Sequence, residues 1–169
     1  MKKIVLLVIA IVSVLQASAQ EVASLQNHSV AISVDSLTLR LNKLQHDYDF
    51  MYCDYSLQKV MIDLKELSQS IDITSNRVII NVYHSRYDRS LYNAYLDHYD
   101  VSCSEFDSLK ETVETVRSFV LTKIAASDFT ELELNVLKSR LDTISKSVST
   151  VEASLRYYNV TIQAYKSKI

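Results

Sequence analysis

Not one glycine or proline occurs in this chain of 169 residues. Ordinary chains carry about 7% and 5% of these residues. Glycine supplies the positive φ of tight hairpin turns and phosphate loops, and proline punctuates sheets and loops. A chain lacking both has no conventional means of making tight β-turns, whereas long helices require neither. The same absence removes three reaction-bearing signatures: the phosphate-cradling loop, the dinucleotide fingerprint and the glycine-flanked nucleophile elbow.

The first residues have the three parts of a secretory signal. Lys2 and Lys3 are followed by an apolar run from Ile4 to Leu15, broken only by Ser13, and then by Ala17-Ser18-Ala19. That apolar run is shorter than the roughly 20 residues a membrane-spanning helix requires, and the small-x-small triplet fits signal peptidase. Residues 1–19 are therefore expected to be a signal peptide cleaved after Ala19, with the product in the periplasm or secreted. Cleavage leaves 150 residues, the size of one domain, and loss of Lys2 and Lys3 takes the formal charge from −2 to −4. A weakly acidic chain without a basic run has no electrostatic footprint for nucleic acid. No later segment reads as membrane-spanning.

Helical periodicity dominates the rest. Leu134, Leu137, Leu141, Ile144, Val148, Val151, Leu155, Tyr158, Ile162, Tyr165 and Ile169 recur at alternating steps of three and four. This is the a/d seam of a helix in coiled-coil-like contact, over about 128–168, with Asp128 and Glu131 at capping-box spacing. A second long helix is expected over about 35–70. It carries one seam of Leu41, Leu44, Tyr48, Met51, Tyr55 and Ile62. A second seam runs through Phe50, Cys53, Leu57, Val60, Leu64, Leu67 and Ile71. Two seams imply contact with two neighbours.

Two shorter helices are expected between these. One, over about 75–99, follows the polar run Asp72 to Asn76 and places Ile80, Tyr83, Tyr87, Leu91, Ala94 and His98 on one face. Its β-branched opening at Val78–Val82 would suit a strand, but no partner strand exists. The other, over about 104–126, has the seam Phe106, Leu109, Val113, Val116 and Val120, with Ser102 and Glu105 as capping box. The expected fold is thus all-α: an elongated antiparallel four-helix bundle with coiled-coil-like seams, forming one domain over 34–169 after a flexible lead at 20–33.

Unequal helix lengths have a geometric consequence. A hairpin closing near Asp72 would leave roughly 15 to 20 Å of the first and last helices uncovered by the middle pair. Leu37, Leu41, Leu155, Tyr158, Ile162 and Tyr165 would lie on that overhang, and an exposed apolar patch of this kind marks an association site. The same hairpin separates Cys53 from Cys103 by about 21 Å along the axis, far beyond disulfide reach, so two free thiols are expected. It also sets the stretch His46–Tyr55 against Tyr83–Tyr99, two segments rich in Tyr, Asp, Arg and His.

Those facing segments offer one candidate metal site, with His46 and Asp49 on one helix and His98 on the other. Helix bundles build carboxylate–histidine sites, but the Glu-x-x-His motif that does so is absent. An aromatic core edged by hydrogen-bonded polar groups is the plainer reading, and tyrosines with Arg86 and Arg89 also suit a recognition patch. No residue is assigned a catalytic role and no cofactor is expected.

Three triplets, Asp35-Ser36-Leu37, Asp107-Ser108-Leu109 and Asp142-Thr143-Ile144, resemble the Asp-Ser/Thr-aliphatic acceptor of the Bacteroidota O-glycosylation system. The leader ending in Ala19-Gln20 is similar to leaders of that phylum. Asp-Ser at a helix start also serves as a cap. The functional expectation is an exported, non-enzymatic bundle in the bacterial envelope, acting through a protein partner or self-association. The alternatives are a periplasmic carrier or chaperone-like binder of apolar segments, and a metal-binding bundle.

Overall fold

The computed structural model describes residues 27–169, with side chains described from residue 34 onward. The expected signal peptide at 1–19 and the first part of the lead lie outside the described residues. Three helices account for nearly all of the rest: α1 (Asn27–Tyr83, 57 residues), α2 (Arg89–Ala126, 38 residues) and α3 (Glu131–Lys166, 36 residues). The protein is all-α, and no strand occurs among the described residues. The expected lead at 20–33 is helical from Asn27. The chain divides into two compact units, Met1–Asp47 and Tyr48–Ile169.

Within the second unit the helices run up, down and up. Asp49 meets Lys123, Tyr52 meets Phe119, Ser70 meets His98 and Asn81 meets Tyr95, so α1 and α2 are antiparallel. Asp54 meets Arg140, Asp72 meets Ser154 and Arg86 meets Tyr165, so α3 runs parallel to α1. Each helix gives one seam to a shared core. Cys53, Leu57, Val60, Leu64, Leu67, Ile71 and Val78 come from α1, and Tyr95, Phe106, Val113 and Val120 from α2. The seam of α3 supplies Leu137, Ile144, Val151, Leu155, Tyr158, Ile162 and Tyr165.

Three helices stand where four were expected, because both inner boundaries move. The polar run Asp72–Asn76 does not break α1. Thr74 Oγ1 donates to Ser70 O (3.0 Å) and Ser75 Oγ to Asp72 O (3.1 Å), so these hydroxyls bond back within the helix instead of ending it. Ser75 occupies a buried step of the core seam between Ile71 and Val78. Ser102 does the same in α2: it is buried and donates to His98 O (2.8 Å), so the expected boundary near 99–104 is helix interior. The expected capping box of Ser102 and Glu105 therefore does not cap anything.

The chain turns at residues 84–88, inside the segment expected to be the second helix. Ser85 N–H donates to Val82 O (3.1 Å) and Arg86 N–H to Asn81 O (2.9 Å). This pair of bonds is a Schellman motif, whose reversal residue takes left-handed backbone and is usually glycine. Ser85 fills that place at φ 52°. Asp88 then caps α2 by accepting from Ser90 N–H (2.6 Å) and Leu91 N–H (3.4 Å). The second turn was expected from sequence and is observed at 127–130. Its capping box, however, is Thr130 with Glu133, two residues beyond the expected Asp128 and Glu131. Glu133 N–H donates to Thr130 Oγ1 (3.3 Å) while the Glu133 carboxylate accepts from Thr130 N–H (2.8 Å).

Candidate contact surface

Moving the hairpin from residue 72 to 84–88 rearranges every site built on it. Asp49 forms an ion pair with Lys123 (3.0 Å), at the end of the bundle where α2 finishes. His98 lies opposite Ser70 and Thr74, more than twenty residues farther along α1, or roughly 30 Å away. These two candidate ligands are therefore not brought together. His46 belongs to the other unit, where its Nδ1 lies 3.5 Å from the Asp47 carboxylate. Among the described residues no group of three His, Cys, Asp or Glu side chains could hold a metal ion. Nor do the two tyrosine-rich segments face each other, since His98 sits opposite Thr74.

His98 instead completes a polar layer inside the bundle. Its Nε2 lies 3.3 Å from both Ser70 Oγ and Thr74 Oγ1, and its Nδ1 lies 3.4 Å from Ser102 Oγ. Tyr158 stacks edge-on against the ring at 5.7 Å. Burial is the main cause that lowers the imidazole below its ordinary value of 6.5, with Glu105 opposing and Arg77 assisting. Half-buried and held among three hydroxyls, His98 is a satisfied structural histidine. Both cysteines are free thiols. Cys53 is fully buried, and burial first, then the Asp49 carboxylate, push its thiol upward against the opposing effect of Lys123. Such a thiol is a poor nucleophile.

The expected association patch divides in the same way. Leu155, Tyr158, Ile162 and Tyr165 are buried, because the 84–88 turn and the start of α2 cover the end of α3 that a turn at 72 would have left bare. Tyr165 Oη accepts Asp88 N–H (2.8 Å) and donates to Arg86 O (2.9 Å), and Tyr158 Oη donates to Tyr95 O (2.9 Å). These four residues are core and present no surface to a partner. Leu37 and Leu41, in the first unit, are exposed, as are Val34, Leu39 and Leu44.

The surface left over lies elsewhere, on α1. Its two seams do not merge into one wide face. At 3.6 residues per turn their centre lines are roughly 160° apart, so they lie on opposite sides of the helix. One, from Cys53 through Val78, is the core seam. On the other, Tyr48, Met51, Tyr55 and Ile62 are 53%, 68%, 65% and 54% exposed. Tyr52 flanks it, stacked on Tyr48 at 6.0 Å. Sequence periodicity found these residues, and helical-wheel geometry alone would have separated the two faces. Assigning both seams to neighbours within the chain hid the outer one.

Around this face the charges are already engaged within the chain. Asp54 receives Arg140 through Nε and through Nη2 (3.3 Å), and also Gln58 Nε2 (2.6 Å). Lys59 pairs with Asp63 (3.0 Å). Between α1 and α2 lies a shallow groove of about 450 Å³ edged by Asp63, Glu66 and Glu105. It holds no imidazole or thiol beside those carboxylates. No helix among the described residues is long and apolar enough to cross a membrane. In comparison with known proteins, no family model matches the chain, and no match is found among curated proteins or solved structures.

Proposed function

We propose that this chain is an exported, non-enzymatic helical scaffold that works by protein–protein contact through the outer face of α1. The observation that carries this reading is the two-sidedness of α1. Its core seam is covered by α2 and α3, while Tyr48, Met51, Tyr55 and Ile62 on the opposite side are half exposed or more. A helix with apolar residues on both sides is stable in water when both sides are covered. Tyrosine and methionine are also the side chains that contact surfaces favour: Tyr brings large area and a polar tip, and Met adapts to irregular partners. Export rests on the charged, apolar and small-residue sequence of the first nineteen positions.

A photo-crosslinking residue at position 51, incorporated in cells, tests this reading. A specific adduct is expected from position 51, and none from position 146 on the exposed side of α3. Equal labelling from both positions would refute a dedicated contact face. N-terminal sequencing of the secreted or periplasmic product tests export, with Gln20 expected as the first residue.

A further inference from the structure

We infer that the occupant of the outer face of α1 is a second copy of this chain, docked antiparallel about a two-fold axis between residues 56 and 57. This inference rests on the contact reading above and names its partner. In heptad terms Tyr48, Tyr55 and Ile62 fill a positions and Met51 a d position, with Gln58 and Lys65 at the other two d positions, so four of the six seam positions are apolar or aromatic. A two-fold interface must be self-complementary, because each residue meets its mirror position on the same surface.

The charges select the direction. In a parallel pair, Lys65 would meet Lys65 of the second copy in the same layer. In the antiparallel pair Lys65 lies beside Tyr48 of the second copy, Met51 meets Ile62, and Tyr55 meets Gln58. The edge residue Tyr52 then lies against Lys59 of the second copy, whose ammonium is well exposed and suits an aromatic neighbour. Two symmetry-related layers then pair the Tyr55 hydroxyl of one copy with the amide of Gln58 of the other, which also bonds Asp54 of its own chain (2.6 Å), and polar layers of this kind fix register in helix pairs.

The area is sufficient. A tyrosine carries about 150–250 Å² of buriable surface, so two half-exposed tyrosines supply roughly 200–300 Å² per copy before Met51, Ile62 and Tyr52 are counted. With all of that exposed surface covered, two copies bury on the order of 1,000 Å² in total, the size of a weak or transient interface. The resulting dimer is of moderate affinity, and α1 lies at its centre with its own α2 and α3 on one side and the copy's α1 on the other.

Mass measured by light scattering across the micromolar range, on the wild-type chain and on Tyr55→Asp, tests the inference. The wild type is expected to pass from monomer to dimer. Tyr55→Asp is expected to weaken dimerisation roughly tenfold or more, with an unchanged circular dichroism spectrum because position 55 lies away from the core. A photo-crosslinker at position 51 should attach near residue 62 of the second copy, and attachment near residue 51 would overturn the antiparallel arrangement. A dimer unaffected by Tyr55→Asp would overturn this face as the interface. A monomer at all concentrations, with a different protein captured from position 51 in cells, would overturn the second copy and leave the contact reading standing. A monomer with nothing captured would overturn both.

Discussion

The two turns of the bundle are built on opposite principles. The turn at 127–130 is written largely in its own residues: Thr130 and Glu133 exchange capping bonds, and Ser127 N–H closes on Lys123 O (2.9 Å). Phe129 adds one anchor by entering the core against Phe50 (6.2 Å). The turn at 84–88 has a left-handed serine where glycine is usual, and it is held by a residue nearly eighty positions away. Tyr165 bonds both Arg86 and Asp88 through one hydroxyl, and its ring meets Tyr87 and Tyr95, each at 5.7 Å. A chain without glycine can therefore reverse direction either by local capping or by clamping the turn from a third helix. The second route ties the turn to the completed fold.

The sharpest way to break this contrast is to remove the clamp. Tyr165→Ala deletes a fully buried aromatic ring and its hydroxyl, and should cost about 3–5 kcal/mol in urea unfolding. If the 84–88 turn forms by itself, amide protection at Ser85 and Arg86 will survive that loss. Tyr165→Phe keeps the ring and leaves Asp88 N–H without its acceptor, which should cost about 1–3 kcal/mol. Amide exchange at Asp88 should speed up in that variant, while exchange around 127–130 stays unchanged.

The clamped end also carries a pH signature. Burial, aided by the Tyr95 hydroxyl, raises the Tyr158 phenol well above its ordinary value of 10.0, and burial likewise raises Tyr99. In the unfolded chain these phenols ionise first. Their contribution is thus fully present below pH 10 and is lost as pH rises toward the folded-state values. Stability should fall on alkaline titration above pH 10, and Tyr158→Phe should flatten that fall. His98 acts in the opposite direction: its lowered value makes stability decline as pH falls below 6.5.

The same contrast explains what could be read from the sequence. The helices of the bundle were legible wherever a seam was continuous, as in α3 from Leu134 to Tyr165 and in α2 from Phe106 to Val120. The 127–130 turn was legible to within two residues because its signals are local. The 84–88 turn was not, because Tyr83, His84, Arg86 and Tyr87 carry no breaker and the decisive contact comes from Tyr165. Asp72–Asn76 looked like a loop because its polarity is local, while its consequence depends on packing: hydroxyls that bond back into the helix can sit in a core seam. That single misplacement carried through to the candidate sites. It set His98 against His46 instead of Thr74, and it put Leu155, Tyr158, Ile162 and Tyr165 on a surface instead of in the core. The exposed stripe of α1 was visible as periodicity, and only the covering of its opposite side by α2 and α3 marked it as spare.

Smaller effects sharpen the comparison from the local side. Thr130→Ala removes one capping bond at an exposed helix start and should cost about 1 kcal/mol. That loss should be well below the effect of Tyr165→Ala, since Glu133 and Phe129 remain in place. A loss comparable to that of the clamp would mean that both turns depend on tertiary contact alike.

Ser85→Gly probes the clamped turn without touching the clamp. Left-handed backbone costs a residue with a β-carbon about 1–2 kcal/mol relative to its right-handed form, and glycine avoids that cost. Glycine also gives the unfolded chain more freedom, which takes back about 0.4–1 kcal/mol. The net expectation is a gain of a few tenths to about 1 kcal/mol, since the bonds from Ser85 N–H and Arg86 N–H use backbone atoms that glycine retains. Combining Ser85→Gly with Tyr165→Phe then measures how the turn divides its support. If the local strain and the clamp are independent, the two changes add. If Tyr165 is what holds position 85 in its left-handed form, the glycine gain should be smaller in the Tyr165→Phe background than in the wild type, because Ser85 can then relax, and a double-mutant cycle reads that difference directly.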